Sequence, residues 1–418
     1  MEEKWQRPRG TQDILPTDAV RVERLRRLVS GVAHLYGYGA IETPVLEQTA
    51  VFVDGVGGGT DIVQHERYSF VDAGGVALTL RPEGTAAVAR AYVENGLSAW
   101  PKPVRLYYWA PMFRRERPQK GRYRQHQQYG FELYGSPEPA ADAEVLLVAR
   151  RLLQEVGLTP QVLVNSIGCD VCRPGYRAAL VSYFEKRWDD LCEDCRRRAA
   201  ENPLRVLDCK RDREVARSAP DIAEFWCAAC QVHQDVVMAL VADQGVTALR
   251  DPTLVRGLDY YYRTVFEVHD PSLGAQSTVL GGGRYDGLTA RVGGAPVPAV
   301  GFAGGVERLL MAAGSAVSEE PAPRAYVAQV GPGREAWRVG EMLRDAGIPT
   351  EVDLMGRSLK AQMKEAGRRA AVVVLAGGQA WELGRVGIRR LADGREAEVS
   401  IGDVAERVRV WLGDGEEA

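Results

Sequence analysis

Apolar positions recur every three or four residues between residues 17 and 36, which predicts an amphipathic helix. Thr17 is its expected N-cap, and Gly37 is expected to end it. The same spacing predicts a second helix over residues 141–156. Both helices carry one apolar face, so each is expected to pack against a core.

Strand-like alternation marks the stretch LVRGLDYYYRTVFEV, residues 254–268. From Tyr260 onward the alternation places Tyr260 and Tyr262 on one face of a strand, with Tyr261 and Arg263 on the other. Other short apolar segments are broken by glycine, and one of them is expected to form a hairpin that turns at Gly74-Gly75. Strands joined by hairpins predict an antiparallel sheet with flanking helices, not a doubly wound parallel sheet.

The pattern changes character along the chain and predicts a domain organisation. Residues 168–245 are rich in cysteine and arginine and are expected to form a mainly helical block, inserted into one sheet domain made of residues 1–167 and 246–313. Residues 314–324 are rich in Ser, Pro and Glu, which is typical of a linker. Residues 325–418 alternate strand with helix, which predicts a small α/β domain.

Composition and charge narrow the classes of protein. The 418 residues are 45% hydrophobic and 26% charged with a net charge of −3, values typical of a globular protein. Residues 113–126 nevertheless hold six cations and one glutamate, which indicates either a polyanion partner or a solvated loop. The first ten residues lack the apolar stretch of a signal peptide, and no apolar run is long enough to cross a bilayer. We therefore expect a cytoplasmic protein without membrane contact.

Two stretches carry the clearest candidate ligand-binding residues. Glu83 and Thr85 lie where a strand turns into a helix, so Glu83 would either accept a substrate ammonium or cap the helix. In PMFRRERPQKGRYRQHQQYGFE, residues 111–132, Arg114 and Arg122 are suited to phosphate oxygens. Glu132, on the returning strand, is expected to point inward and to require a polar partner.

These stretches together resemble the histidyl-tRNA synthetases, a family of class II aminoacyl-tRNA synthetases, over nearly the whole chain. The matching pieces, in the family's order, are RGTQDILP, TLRPEGTA, PMFRRERPQKGRYRQ, LVRGLDYY with RTVFE, GGRYDGL and GFAGGVERL. LVRGLDYY followed by RTVFE is characteristic of histidine-specific members, and RSLKAQMKEAGRRAAVVVLAG resembles the anticodon-binding domain. The resemblance implies a class II antiparallel sheet with flanking helices and a C-terminal α/β anticodon-binding domain.

The resemblance also implies the chemistry. The family activates L-histidine with ATP and magnesium to histidyl-adenylate and transfers it to the 3′ end of histidine tRNA. Arg114 matches the arginine that holds the α-phosphate and the histidine carboxylate, and Arg256 matches the histidine-specific catalytic arginine on the opposite side. Arg122 and Arg308 match arginines at the γ-phosphate. A homodimer is likewise an expectation carried over from the family.

The resemblance assigns the amino-acid site as well. Around the α-ammonium and the imidazole it places Glu83, Thr85, Gln128, Glu132, Tyr260 and Tyr261. Arg117 and Gln119, at the tip of the basic loop, match residues that meet the acceptor end of the tRNA. Two departures lie beside these groups: His126-Gln127 replaces the common Phe-His, and Tyr262 replaces a frequent asparagine. We expect them to alter neighbouring contacts without abolishing activity.

The cysteines are a further departure, since many family members lack them. The chain has seven, in three CxxC pairs plus Cys209, with His233 nearby. The 19 residues between the first two pairs fit a four-thiolate zinc site. The expected zinc ligands are Cys169, Cys172, Cys192 and Cys195, with Cys227 and Cys230 as further candidates. Little apolar core is expected in the block, and a structural zinc would compensate. Free thiols and two four-ligand sites are the alternatives.

A competing hypothesis is the regulatory subunit of ATP phosphoribosyltransferase, a synthetase-like paralogue that senses histidine without charging tRNA. Such subunits usually lack the anticodon-binding domain and often lose the arginines. Here residues 325–418 follow the linker, and the arginines stand at positions 114, 122, 256, 263 and 308. Both features favour the synthetase.

Overall fold

The computed structural model describes residues 5–58, 60–119, 121–273, 277–317 and 324–413. The chain divides into two compact units, Met1–Glu319 and Glu320–Ala418. Among the described residues, no helix combines the length and the apolar character that crossing a lipid bilayer requires.

The first unit is built from the following elements. Its helices are α1 (Pro16–Leu35), α2 (Thr49–Val56), α3 (Asp61–Gln64), α4 (Thr85–Glu94), α5 (Pro139–Glu155), α6 (Arg173–Glu185), α7 (Glu193–Glu201), α8 (Arg213–Arg217), α9 (Ala228–Asp243), α10 (Leu288–Arg291) and α11 (Val306–Ala313). Its strands are β1 (Gly39–Ala40), β2 (Leu46–Gln48), β3 (Tyr68–Val71), β4 (Ala77–Leu80), β5 (Val104–Phe113), β6 (Gln125–Tyr134), β7 (Gln161–Ser166), β8 (Ala248–Arg250), β9 (Tyr262–His269), β10 (Thr278–Arg284) and β11 (Ala299–Gly305).

An eight-stranded sheet in the order β1-β5-β6-β11-β10-β9-β7-β8 organises this unit. The strands from β5 to β7 in that order pair antiparallel, and the outer pairs β1–β5 and β7–β8 are parallel. A smaller sheet, β2-β4-β3, contains the hairpin expected at Gly74-Gly75. The antiparallel sheet with flanking helices is therefore confirmed.

The two faces of the large sheet bury separate cores, because successive side chains of a strand point in opposite directions. In β5 the even-numbered side chains from Val104 to Met112 are buried with α2 and α4. In β6 Tyr129, Phe131 and Leu133 are buried with α1 and α5. The helices predicted over residues 17–36 and 141–156 are thus present as α1 and α5, and their apolar faces cover one side of the sheet.

The N-cap prediction for α1 is wrong. Leu15 is the N-cap, and Pro16 occupies the first turn of the helix. A proline is well suited to that position, because its missing N–H would have no partner there and its φ is already helical.

The prediction that the tyrosine strand begins at Tyr260 is also wrong. Strand β9 begins at Tyr262, and its pairing with β10 shifts register between Gly283, opposite Val265, and Arg284, opposite Tyr262. Arg263 has φ +54°, a left-handed conformation that few side chains adopt. This bulge breaks the alternation, so the faces predicted for Tyr260 and Tyr261 do not hold.

Residues 167–247, between the paired strands β7 and β8, contain helices α6 to α9. The expectation that this block has little apolar core is wrong. Its buried apolar side chains join both cores. Those in the core that also contains β5 and α4 include Tyr176, Leu180, Phe184, Leu191, Ala199, Val206, Leu207, Val215, Ala216 and Ile222, and those in the core with α1 and α5 include Val237, Val241 and Val246.

The second unit is a small α/β domain, as predicted. Its strands are β12 (Ala325–Val330), β13 (Thr350–Val352), β14 (Val372–Gly377), β15 (Arg385–Arg390) and β16 (Glu396–Ser400), and its helices are α12 (Glu335–Asp345), α13 (Leu359–Arg369), α14 (Gly378–Glu382) and α15 (Val404–Leu412). The sheet order is β13-β12-β14-β15-β16, in which the first three strands are parallel. Of the expected linker, Gly314–Val317 form a 3₁₀ helix, and residues 318–323 lie outside the described residues.

Candidate active site

A cavity of about 260 Å³ lies against the large sheet and is lined by five separate parts of the sequence. They are the start of α4, the β5–β6 loop with β6, the segment before β9 with β9 itself, strand β10, and strand β11 with α11. The sequence-predicted residues that line it are Glu83, Thr85, Arg114, Arg122, Gln128, Arg256, Tyr260, Tyr261 and Arg308.

Glu83 both caps a helix and lines the cavity. Its two carboxylate oxygens accept the backbone N–H groups of Thr85 and Ala86, each at 2.8 Å, at the start of α4. Burial raises the pKa of Glu83 even though these hydrogen bonds lower it. Because each oxygen has a further lone pair, capping leaves acceptor capacity for a ligand cation.

Glu132 is fully buried behind two residues that line the cavity. Thr85 donates its hydroxyl to one carboxylate oxygen at 2.7 Å, and Tyr285 donates its hydroxyl to the other. Burial raises the pKa of Glu132 to about 8, against the opposing effect of these two hydrogen bonds. Gly301 lies opposite Glu132 in the sheet, and a side chain there would collide with the carboxylate. Glu132 thus reaches the cavity only through its two hydroxyl partners.

Gln128 is oriented by the protein. Its amide oxygen accepts the N–H of Gly84 at 3.0 Å and the hydroxyl of Tyr108 at 3.2 Å. An amide oriented in this way can present its NH₂ group, a donor, toward a ligand.

Arg256 is held by a carboxylate that the sequence analysis missed. Its guanidinium pairs with Glu267, which also accepts from Thr278 at 2.9 Å and contacts His269 at 2.7 Å. Burial alone would raise the pKa of Glu267, but the charge of Arg256 and these hydrogen bonds lower it to about 2. The available signal was an acidic residue within the otherwise apolar run VFEV.

Three further arginines line the cavity, two on the β5–β6 loop and one on α11. Arg114 donates Nε to the carbonyl of Pro82 at 2.8 Å, and Arg308 donates Nε to the carbonyl of Thr278 at 2.8 Å. Arg122 lies 3.7 Å from Glu116. Burial and the nearby Arg122 both lower the pKa of Arg308, a sign that cations are concentrated here. This side of the cavity is suited to a polyanion.

The predicted residues and the lining residues differ in two ways: two predicted residues do not line the cavity, and further lining residues were not predicted. Arg117 and Gln119 are exposed on the β5–β6 loop and do not line the cavity. Tyr123, His126 and Tyr285 line it and were missed as ligand-facing groups. Burial and the charge of Arg114 lower the pKa of His126 to about 3, so its imidazole is neutral at physiological pH.

The cysteines pair differently from the expectation. Cys192 and Cys195 do not join Cys169 and Cys172. Among the described residues two groups of close ligand atoms occur: Cys169, Cys172, Cys227 and Cys230 form one, and Cys192, Cys195, Cys209 and Asp212 form the other. His233 belongs to neither group; it lies 3.4 Å from Asp142 and 3.5 Å from Arg263.

Comparisons with known proteins find similarity to histidyl-tRNA synthetases over nearly the whole chain. A family model described as histidyl-tRNA synthetase matches residues 10–309, and one described as anticodon binding domain matches residues 324–411. A curated relative from Desulforudis audaxviator, named histidine–tRNA ligase, is 47% identical over 96% of this chain and 98% of its own length. The structure of apo histidyl-tRNA synthetase from S. aureus has a TM-score of 0.82 at 33% identity, covering 97% of this chain and 99% of that chain.

A second solved structure is described as an ATP phosphoribosyltransferase regulatory subunit/histidyl-tRNA synthetase from Bacillus halodurans. It has a TM-score of 0.63 at 23% identity and covers 87% of this chain and 97% of that chain. At that identity the likeness extends to the fold alone.

Proposed function

The chain belongs to the histidyl-tRNA synthetase family, and on this basis we propose that it activates L-histidine with ATP and transfers it to the 3′ end of histidine tRNA. The family is one of class II aminoacyl-tRNA synthetases, which are ligases. The observation that carries the proposal is the convergence of four arginines on one cavity with polar groups that can hold an amino acid. The arginines are Arg114, Arg122, Arg256 and Arg308, and the polar groups include Glu83, Thr85, Gln128, Tyr260 and Tyr261.

In the first step the carboxylate of histidine attacks the α-phosphorus of ATP, which enters with magnesium as the substrate. A bond forms between the carboxylate oxygen and phosphorus while the bond to the leaving pyrophosphate breaks. Negative charge on the α-phosphoryl oxygens rises along this path, so fixed cations are the main catalytic requirement. Arg114 and Arg256, which enter the cavity from different elements, supply that charge, and Arg122 with Arg308 receives the γ-phosphate.

The amino acid is recognised by polar groups that the protein already orients. Glu83 and Gln128 meet the α-ammonium together with Thr85, while Tyr260, Tyr261 and the Glu132 network contact the imidazole. A site whose buried groups are satisfied only by both ring nitrogens can discriminate by roughly 10⁴–10⁵ against side chains that lack them. The C-terminal α/β domain recognises the anticodon, and Arg117 with Gln119 meets the acceptor end of the tRNA. A homodimer in the cytoplasm is part of the same proposal.

The test is histidine-dependent exchange of pyrophosphate into ATP, followed by charging of histidine tRNA. We expect Arg256→Ala to lower both by roughly 100-fold or more, the scale for losing one group that stabilises transition-state charge. Arg217→Ala, an arginine that is 53% exposed and outside the cavity, is the matched control and should match wild type.

The same assay separates the two functions that the sequence left open. A wild-type chain that binds histidine but catalyses neither exchange nor charging would be the regulatory type and would overturn the proposal. The presence of all four cavity arginines supports the enzyme, because a sensor has no leaving pyrophosphate to neutralise.

A further inference from the structure

The first cysteine group has the dimensions of a tetrahedral metal site. The sulfur of Cys169 lies 3.6 Å from that of Cys172 and 3.8 Å from that of Cys227. Zinc binds sulfur at about 2.3 Å, which places the corners of a tetrahedron about 3.8 Å apart. A disulfide requires about 2.05 Å, so these sulfurs are not bonded to one another. The backbone N–H of Cys227 also donates to the sulfur of Cys172 at 3.1 Å, which stabilises a thiolate.

The second group has the same dimensions and a different ligand set. The sulfurs of Cys192 and Cys209 lie 3.9 Å apart, and all four ligand atoms, including one from the buried Asp212, lie within 4.8 Å of one another. The N–H of Cys192 donates to the Asp212 carboxylate at 2.9 Å and fixes its orientation. Zinc accepts carboxylate oxygen alongside thiolates, so three sulfurs and one oxygen complete a tetrahedron.

Each group is connected to the active-site segment 256–263. Next to the first group, Arg173 donates to the carbonyl of Tyr261, and Tyr262 packs against its cysteines. The N–H of Arg263 donates to the carbonyl of Gly168 at 3.0 Å, immediately before Cys169. The first group therefore lies directly beneath the tyrosine end of the segment.

The second group joins the two ends of the chain segment 196–208, and this segment contacts the part of 256–263 that is next to Arg256. Between Cys195 and Cys209, Arg205 donates to the carbonyl of Gly257 at 2.7 Å. Asn202, in the same segment, donates to the carboxylate of Asp259 at 3.1 Å. A metal ion that crosslinks the two ends of this segment would restrict its motion. It would thereby also restrict the motion of Arg256.

We propose that the insertion binds two structural zinc ions, one through Cys169, Cys172, Cys227 and Cys230 and the other through Cys192, Cys195, Cys209 and Asp212. Together they brace the segment 256–263 at its two ends. Metal binding stands independently of the catalytic proposal, whereas the bracing of a histidine site rests on it.

The first experiment measures zinc in the full-length protein purified without chelators from cells supplied with zinc. We expect two ions per chain by mass spectrometry, one in Cys227→Ser, one in Cys209→Ser and none in the double variant. Asp212→Asn should lose the second ion. Asp194→Asn is the matched control, because Asp194 is exposed on α7 and outside both groups, and it should keep two.

Cobalt substitution keeps the test usable where a serine variant fails to fold. Cobalt in the wild-type protein should give the intense sulfur-to-metal absorption of tetrahedral thiolate sites, with two equivalents needed for saturation. A protein that contains no zinc, takes up no cobalt in this form and exposes all seven thiols to a thiol reagent would overturn both sites. Saturation at one equivalent, lost in Cys227→Ser and kept in Cys209→Ser, would overturn the second site.

The bracing is tested by steady-state kinetics of pyrophosphate exchange. Loss of the first ion should raise KM for histidine at least several-fold, because the tyrosines shift, and should change KM for ATP much less. Equal KM values for histidine in the zinc-loaded wild type and in Cys227→Ser, which lacks the first ion, would overturn the bracing while leaving the metal sites intact. Absence of exchange in zinc-loaded wild type would instead contradict the proposed function.

Discussion

At the scale of single residues, the buried carboxylates around the cavity differ in what surrounds them. Glu267 faces Arg256, whose charge helps to lower its pKa to about 2, whereas Glu132 accepts from the hydroxyls of Thr85 and Tyr285 and burial raises its pKa to about 8. Glu267 therefore serves as a fixed counter-charge. Glu132 keeps its proton near neutral pH, and a ligand in the cavity meets it through the hydroxyl groups of Thr85 and Tyr285.

The raised pKa of Glu132 predicts a pH dependence of stability. Between its usual pKa of 4.5 and about 8 the unfolded carboxyl is ionised while the folded one keeps its proton. The unfolded state then binds fewer protons, so the free energy of unfolding falls as pH rises, by at most about 1.4 kcal/mol per pH unit. Glu132→Gln removes this contribution, and the gap between variant and wild type should widen in favour of the variant from pH 5 to pH 8.

Denaturant unfolding at several pH values measures this difference. Glu94→Gln, an exposed carboxylate on α4, is the matched control and should follow the wild-type slope. A Glu132→Gln curve parallel to wild type would contradict the prediction.

A site residue could be predicted from the sequence where its role depends only on its neighbours in the chain. Glu83 follows a strand and precedes a helix, so its capping position could be recognised in the sequence. Tyr285 could not, because its partner Glu132 lies 153 residues away and becomes a neighbour only when β10, β11 and β6 form one sheet.

At the scale of elements, β10 depends on a glycine to admit Arg256. A Cβ on Gly281 would lie 2.7–2.8 Å from the guanidinium atoms of Arg256. We expect Gly281→Ala to displace that guanidinium and to lower the rate of adenylate formation by about 10- to 100-fold, the scale of a misplaced catalytic group.

The matched control is Gly287→Ala, just beyond the end of the same strand, where a Cβ would meet nothing within 4 Å. It should keep the wild-type rate. Single-turnover formation of histidyl-adenylate measures both variants, and equal rates for the two would refute the steric role of Gly281.

The contact between β10 and α5 depends on a buried ion pair. Arg284 pairs with Asp142 of α5 and with Asp286 at 3.1 Å, and it donates to the carbonyl of Ser136 at 3.0 Å. Arg284→Met leaves Asp142 buried without this partner, so we expect a loss of about 3–5 kcal/mol in the free energy of unfolding.

Guanidinium unfolding is the measurement. The control is Arg151→Ala, which breaks an exposed i,i+4 pair with Glu155 on the same helix and should cost less than about 1 kcal/mol. Similar losses in the two variants would show that the buried pair is not special.

Elements were predictable where the pattern is local and regular, as in α1 and α5. The start of β9 was not, because the left-handed Arg263 inserts a bulge that alternation alone cannot reveal. The cysteine pairing failed for a related reason. Spacing favoured the first two CxxC pairs, but α9 returns to β7 and brings Cys227 and Cys230 to Cys169 and Cys172.

At the scale of the whole molecule, each unit buries its own set of apolar side chains. The first unit buries apolar side chains between Leu25 and Val317, and the second does so between Ala325 and Trp411. The insertion contributes to both cores of the first unit, so the zinc ions proposed for it would fix local geometry in a block that already has a folded interior. Sequence composition did not predict this, because its apolar residues are sparse and converge only in the fold.

The placement of the candidate active site in one unit predicts the effect of removing the other unit. All residues that line the candidate active-site cavity belong to the first unit. A chain that ends after Val317 should therefore keep histidine-dependent pyrophosphate exchange within a few-fold of the full chain. Its kcat/KM for charging tRNA should fall by about 100-fold or more, because the second binding module for the same tRNA is gone and its contribution to avidity is lost. Raising the tRNA concentration should partly restore charging in the truncated chain, since the defect is in binding. A truncated chain that charges tRNA as efficiently as the full chain would mean that the C-terminal unit does not recognise the tRNA, and one that folds but loses exchange would mean that the active site depends on both units.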